Sequence, residues 1–157
     1  MLRGIPMLIN PDLLKVLHEM GHGNEIVICD ANCPAKSYNS NYLRCDALSA
    51  PELVDAILTL MPLDTYQQPV FLMEKVSGDQ TITENWGEYQ QVIAKYSDAK
   101  IEHIERFAFY ERMRNAAAVV VTADPRPYGN IILRFFVSVT NNKKSCTAIS
   151  LFYLSML

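Results

Sequence analysis

Apolar positions along the chain switch between a helical and an extended period, and the switches divide it into helices and buried strands. In "INPDLLKVLHEMGHG", Leu13, Leu14 and Leu17 form a stripe at helical spacing. Asn10 is suited to cap this helix, Pro11 to its first turn, and Gly21 to a left-handed stop. "EIVIC" then runs almost continuously apolar, the pattern of a strand covered on both faces, and Asp30 falls at its carboxyl end. "SAPELVDAILTLMP" opens with a capping box from Ser49 to Glu52 and sets Leu53, Ile57 and Leu60 at helical spacing. "QPVFLMEKV" reads as another buried strand. "ENWGEYQQVIAKYS" reads as an amphipathic helix with Trp86, Tyr89, Val92, Ile93 and Tyr96 on one side, a stripe assigned to the core rather than to a cofactor.

Further along, "IEHIERF" is too short to assign and "FYERMRNA" is helical in pattern. "AAVVVTA" and "NIILRFFVSV" are strand-like, separated by "DPRPYG". Helices therefore alternate with buried strands, which predicts an α/β fold: one domain with a central, mostly parallel sheet and helices on both faces. In such sheets ligands bind in the crevice beyond the carboxyl ends of the strands. Asp30 is placed at such a crevice, and His22, in a glycine-flanked loop, is read as able to lean into the same space.

Composition narrows the picture. The chain has 157 residues, suited to a single domain, and half of them are hydrophobic. A net charge of -3 gives no electrostatic reason to approach nucleic acid or an anionic membrane, and a small neutral ligand fits better. Four cysteines without a basic-then-apolar leader point to reduced thiols in the cytoplasm. "AISLFYLSML" is too short, and too broken by Ser150 and Ser155, to span a bilayer. Cys29, Cys33 and Cys45 lack the paired short spacings of a structural zinc site, so they read as small buried hydrophobes and no metal is expected.

The ordered set "NPDLLKVLHEMGHGNEIVICDANCPA", "PELVDAIL", "MPLDTY", "IERFAFYER" and "YGNIIL" resembles the fucose mutarotase and ribose pyranase (RbsD/FucU) family, the fucose branch most. The resemblance covers residues 1–133. It implies an α/β fold of the family's own, homo-oligomeric rings of up to ten subunits, active sites completed between subunits, and no cofactor. It also implies interconversion of L-fucose anomers, and of ribose pyranose and furanose forms. By resemblance His22 is the proton donor, Asp30 binds sugar hydroxyls, and Arg106 donates near the sugar oxygens. Asp64 and Tyr110 match substrate-contacting positions. Tyr128 and Asn130 complete the pocket, with Gly129 letting the backbone come close. Such groups suit a polyol, because carboxylates accept from hydroxyls, arginine donates and asparagine does both. Whether Asp30, Tyr110, Tyr128 or water takes the anomeric proton stays open.

Plainer readings stand beside these. His22 is then a loop residue, Asp30 a loop cap, Asp64 a turn former, and Arg106 a surface partner of Glu102 or Glu105. Tyr110 and Tyr128 are then amphipathic core residues. The alternative function is a non-catalytic sugar-binding or assembly protein of the same fold. The chain also departs from the family pattern. Asn24 replaces the acid of "GHGD", Ala47 replaces a glycine, and Thr122-Ala123-Asp124 stands for "TGE" before a loop stiffened by Pro125 and Pro127. Residues 134–157 form a divergent extension, read as prolonging the last strand across Arg134 to Val139, covering a subunit face, or lying loose.

Overall fold

The computed structural model of the protein describes residues 2–46 and 49–136. Ala47 and the extension past Phe136, including the expected continuation to Val139, lie outside the described residues. Helices α1 (Pro11–Glu19), α2 (Ala35–Tyr38), α3 (Ala50–Leu58), α4 (Glu84–Ala94) and α5 (Arg106–Asn115) interleave with strands. The strands are β1 (Glu25–Cys29), β2 (Tyr42–Cys45), β3 (Val70–Met73), β4 (Glu102–Ile104), β5 (Ala118–Thr122) and β6 (Ile131–Arg134). They form one sheet in the order β2-β5-β1-β6-β3-β4. β1 and β2 run parallel to β5, and β3 runs parallel to β4. β6 is antiparallel to both of its neighbours, β1 and β3. The sheet is therefore mixed and mostly parallel, with helices on both faces.

The alternation inside each continuous apolar strand sorts the core into two layers. Ile26 and Ile28 face a large cluster with Leu13 and Leu17 of α1, Leu53 and Ile57 of α3, and Tyr89 and Ile93 of α4. Val27 and Cys29 face the opposite cluster with Ala35 of α2 and Phe109 and Met113 of α5. "EIVIC" needs no polar face because both of its faces are covered.

Local signals behave largely as read. The Asn10 side chain accepts from the Leu13 N–H at 2.8 Å, and Ser49 and Glu52 form a complete capping box. The left-handed stop differs from the expectation: α1 ends on Met20 in extended conformation, and Gly23, at φ 77°, is the left-handed residue of that loop. Burial of Met20 pulls the chain out straight, while the Asn24 side chain accepts from the Gly21 N–H at 2.7 Å and closes the turn. The aromatic stripe of α4 is only partly core. Tyr89 is fully buried, but Tyr96 is exposed and its hydroxyl donates to Asp55. Trp86 lies against His103 of the edge strand β4.

Topology fixes where loops gather. The carboxyl ends of β1, β3, β4 and β5 and the amino end of β6 share one end of the sheet. The amino ends of β1 and β3 and the carboxyl end of β6 share the other.

Candidate active site

A cavity of about 350 Å³ opens at the carboxyl end of the sheet, within the range of small-molecule sites. Asp30 follows β1, Arg106 begins α5 directly after β4, and Tyr128 and Asn130 precede β6. Tyr110 lies one helical turn beyond Arg106, and all five line the cavity. These residues are distant in sequence and meet because strand ends meet.

Asp30 is nearly inaccessible, at 4 % exposure. Asn130 clasps it from both sides: its Nδ2 donates to Asp30 Oδ2 at 2.9 Å, and its Oδ1 accepts from the Asp30 N–H at 3.2 Å. The Asn32 N–H donates to the other carboxylate oxygen at 3.0 Å. Burial pushes the Asp30 carboxyl above its ordinary value, outweighing the donors from Asn32, Asn130 and Gly129. Three donors on a carboxylate with about four lone-pair sites leave one for a ligand hydroxyl.

The Tyr-Gly-Asn segment is held at several points. Tyr128 sits at φ 58°, a left-handed conformation that costs a bulky residue about 1–3 kcal/mol and persists only where surroundings impose it. The Trp86 indole N–H donates to the Tyr128 carbonyl at 2.9 Å, and the Tyr89 hydroxyl to the Gly129 carbonyl at 2.8 Å. Upstream, Arg126 bridges Asp124 and Glu88, and Asp124 accepts from the Ala50 N–H that opens α3. Burial alone would raise the Asp124 carboxyl, but the Arg126 and Ala50 donors bring it below its ordinary value. The proline-bearing loop is thus anchored to α3 and α4.

Arg106 is exposed, lies over the Phe107 ring at 4.8 Å, and forms no salt bridge among the described residues. Glu105, one of its anticipated partners, instead caps α5 by accepting from the Phe107 and Ala108 N–H groups. The Arg106 guanidinium therefore keeps its donors for the cavity. Tyr110 stacks on Tyr38 with ring centroids 4.4 Å apart. Burial, then the neighbouring Cys33, raises its phenol.

His22 and Asp64 lie elsewhere. His22 precedes β1, whereas Asp30 follows it, and the five-residue strand between them spans about 16 Å. The expectation that both lean into one crevice of the same chain is therefore corrected: an extended strand carries its two ends apart. His22 is exposed and makes edge contacts with Phe136 and Tyr66, at centroid distances of 4.8 and 6.2 Å. Asp64, 3 % exposed, accepts from the Tyr66 N–H at 2.8 Å and from Arg134 Nε at 3.0 Å. Burial would raise its carboxyl, yet these donors together hold it below the ordinary value. The molecule thus carries two separate polar clusters, one at each end of the sheet.

Asp79 and Thr81 also line the cavity and were not singled out in the sequence. Their signal was positional, because they belong to the loop after β3, at the same end of the sheet as Asp30.

The sequence model of the RbsD / FucU transport protein family matches residues 3–138. The chain is 43% identical over 148 residues to a human fucose mutarotase, covering 89% of this chain and 96% of the relative. It is 43% identical over 137 residues to an L-fucose mutarotase of Actinobacillus pleuropneumoniae, covering 85% and 95%. Among solved structures, the fucose mutarotase from Streptococcus pneumoniae in complex with L-fucose superposes with a TM-score of 0.83 at 47% identity, covering 88% of this chain and all of that one. Bacillus subtilis RbsD complexed with D-ribose shares the fold alone, with a TM-score of 0.70 at 21% identity. Motif order, sheet topology and near-complete coverage agree: the chain belongs to the RbsD / FucU family.

Proposed function

We propose that this protein is an L-fucose mutarotase, an isomerase that interconverts α and β anomers by opening and reclosing the sugar ring. One observation carries the reading: the Asp30–Asn130 clasp, with Arg106, Tyr110 and Tyr128, lines a small cavity in a chain 47% identical to a fucose mutarotase solved with L-fucose. Ring opening needs a proton delivered to the ring oxygen while one leaves the anomeric hydroxyl. Asp30 and Asn130 orient sugar hydroxyls, and Arg106 donates to sugar oxygens. The freed aldehyde rotates and recloses on its other face.

His22 supplies the proton from a neighbouring subunit. Its separation from Asp30 along β1 supports a site completed between chains, in which a second copy sets His22, Tyr66 and Phe136 against the open cavity. Tyr66 is 77% exposed on that side, and Val76 and Phe107 are exposed beside the cavity, so both faces present apolar surface to cover. The assembly is then a homo-oligomer whose contacts run head to tail and close into a ring of up to ten subunits. Among the described residues Cys29, Cys33 and Cys45 carry free thiols, which fit a reducing cytoplasm. The sugar-converting domain runs past the expected boundary at residue 133, since Phe135 is buried in the core and Phe136 lies against His22.

The test is saturation-transfer NMR between the anomeric protons of L-fucose. Exchange above the spontaneous rate is expected, and its absence with assembled protein that still binds fucose favours the non-catalytic sugar-binding alternative. A His22→Gln variant should bind fucose nearly as the parent does and lose about a hundredfold in exchange, the usual worth of general acid help. Parent-like exchange in that variant would remove His22 from the mechanism.

A further inference from the structure

The loop between β3 and α4 reaches over the cavity and carries a carboxylate that the sugar-binding set does not include. The Asp79 Oδ1 accepts from the Thr81 N–H at 2.8 Å and from the Thr81 hydroxyl at 2.6 Å, so its own turn orients it. Lys75 Nζ donates to the Thr81 carbonyl at 3.0 Å and ties that turn back to the end of β3. The remaining oxygen, Oδ2, accepts from the Tyr128 hydroxyl across 49 residues of chain. Asp79, Thr81 and Tyr128 all line the same cavity as Asp30.

We propose that Asp79 is a positioning residue that holds the Tyr128 hydroxyl by its proton and so leaves the phenol oxygen able only to accept from the sugar. This deepens the mutarotase reading and rests on it. A phenol has one proton, and with that proton directed at Asp79, only lone pairs remain for the cavity. As the ring opens, the Tyr128 oxygen orients the anomeric hydroxyl by accepting its hydrogen bond, and the proton itself passes to solvent water, because a neutral phenol cannot hold a second one. Asp79 itself is not the base. Hydrogen bonds from Thr81 and then Tyr128 hold its carboxyl down at about 2, too low to retain a proton drawn from a phenol or a sugar. Its work is orientation: Tyr128 is already fixed at its backbone by Trp86, and Asp79 fixes the far end of the ring.

The experiment is a double-mutant cycle of Asp79→Ala and Tyr128→Phe, reading anomeric exchange and fucose affinity separately. Asp79→Ala is expected to slow exchange about tenfold while fucose affinity changes less than about threefold, a split that misorientation of one acceptor produces. Asp79→Asn, whose amide oxygen still accepts from the phenol, should recover part of the loss. In the Tyr128→Phe background Asp79→Ala should cost nothing further. Equal losses in both backgrounds would assign Asp79 to loop stability, and no loss in either would remove it altogether; both overturn the proposal. A second readout needs no turnover. The Tyr128 phenol, isolated by difference absorbance against Tyr128→Phe, should titrate above 10.0 in the parent, because its hydrogen bond to Asp79 and then burial raise it against the Val76 N–H and, last, Arg106. It should fall in Asp79→Ala. An unchanged titration would overturn the Asp79 contact even if the protein exchanged no anomers, a result that would instead reject the mutarotase reading.

Discussion

A methyl group on Gly129 would lie 2.7 Å from Asn85 Nδ2 and 3.4 Å from the Arg126 carbonyl. Asn85 is fully buried with no partner for either amide atom among the described residues, so the space behind the Tyr-Gly-Asn segment is confined. Gly129→Ala should therefore cost about 1–3 kcal/mol, seen as a lower urea midpoint at constant slope, and should weaken fucose binding by lifting Tyr128. Asp30 supplies a pH prediction. Because burial raises its carboxyl, exchange should fall on the acid side with a midpoint above 3.8, the ordinary aspartate value, and Asp30→Asn should abolish that limb. The same shift acts on stability with the opposite sign. The folded chain holds this proton more tightly than the unfolded one, so Asp30's contribution is present below the unfolded value and is lost as pH rises through the folded one. Asp30, Arg106, Tyr110, Tyr128 and Asn130 could be picked from the sequence because their motifs resemble a family's. Asp79 could not, since a Gly-Asp pair in a polar stretch looks like a turn and its partner lies 49 residues away.

At the level of elements, the helices with written caps were the easiest to read and the short pieces the hardest. α1 and α3 announce themselves through Asn10 and Ser49, whose side chains supply acceptors that helix starts lack. α2 and β2 were unassigned, because four residues give no period and β2 is a half-exposed edge strand. Between those two pieces lies the strongest stability prediction. Buried Asn39 donates to the Met113 and Ala116 carbonyls, both at 2.9 Å, and accepts from the Asn41 N–H. It caps the carboxyl end of α5 from outside the helix. Asn39→Ala leaves the Ala116 carbonyl unpaired and the Met113 carbonyl with only the long bond from the Ala116 N–H at 3.4 Å, and should cost about 1–3 kcal/mol, measured by urea unfolding. Since α5 opens with Arg106, a loosened α5 should also weaken fucose binding.

For the whole molecule, the separation of the two polar clusters decides what a single chain can do. If His22 of one copy serves the Asp30 cavity of another, two impaired variants should rescue each other. Co-expressed His22→Gln and Asp30→Asn chains should regain about a quarter of parental exchange, because random head-to-tail contacts reunite both intact halves that often. No recovery in mixed oligomers would exclude a shared site. The end bearing Asp64 has its own acid sensitivity. Its carboxyl is held below the ordinary value, so the stability it contributes is present above the unfolded value and lost as pH falls through the folded one. Arg134→Ala should narrow that loss, read as a flatter acid unfolding curve. The sequence by itself determined the buried strands, the capped helices and the chemical character of the cavity-lining groups, because periodicity, capping and hydrogen-bonding capacity are local properties. Only the tertiary structure decided that Asp30 and His22 stand at opposite ends of one strand and that β6 runs against its neighbours. It alone brought Asp79 to Tyr128. Such relations depend on how strands are ordered and directed in space, and no spacing along the chain encodes them.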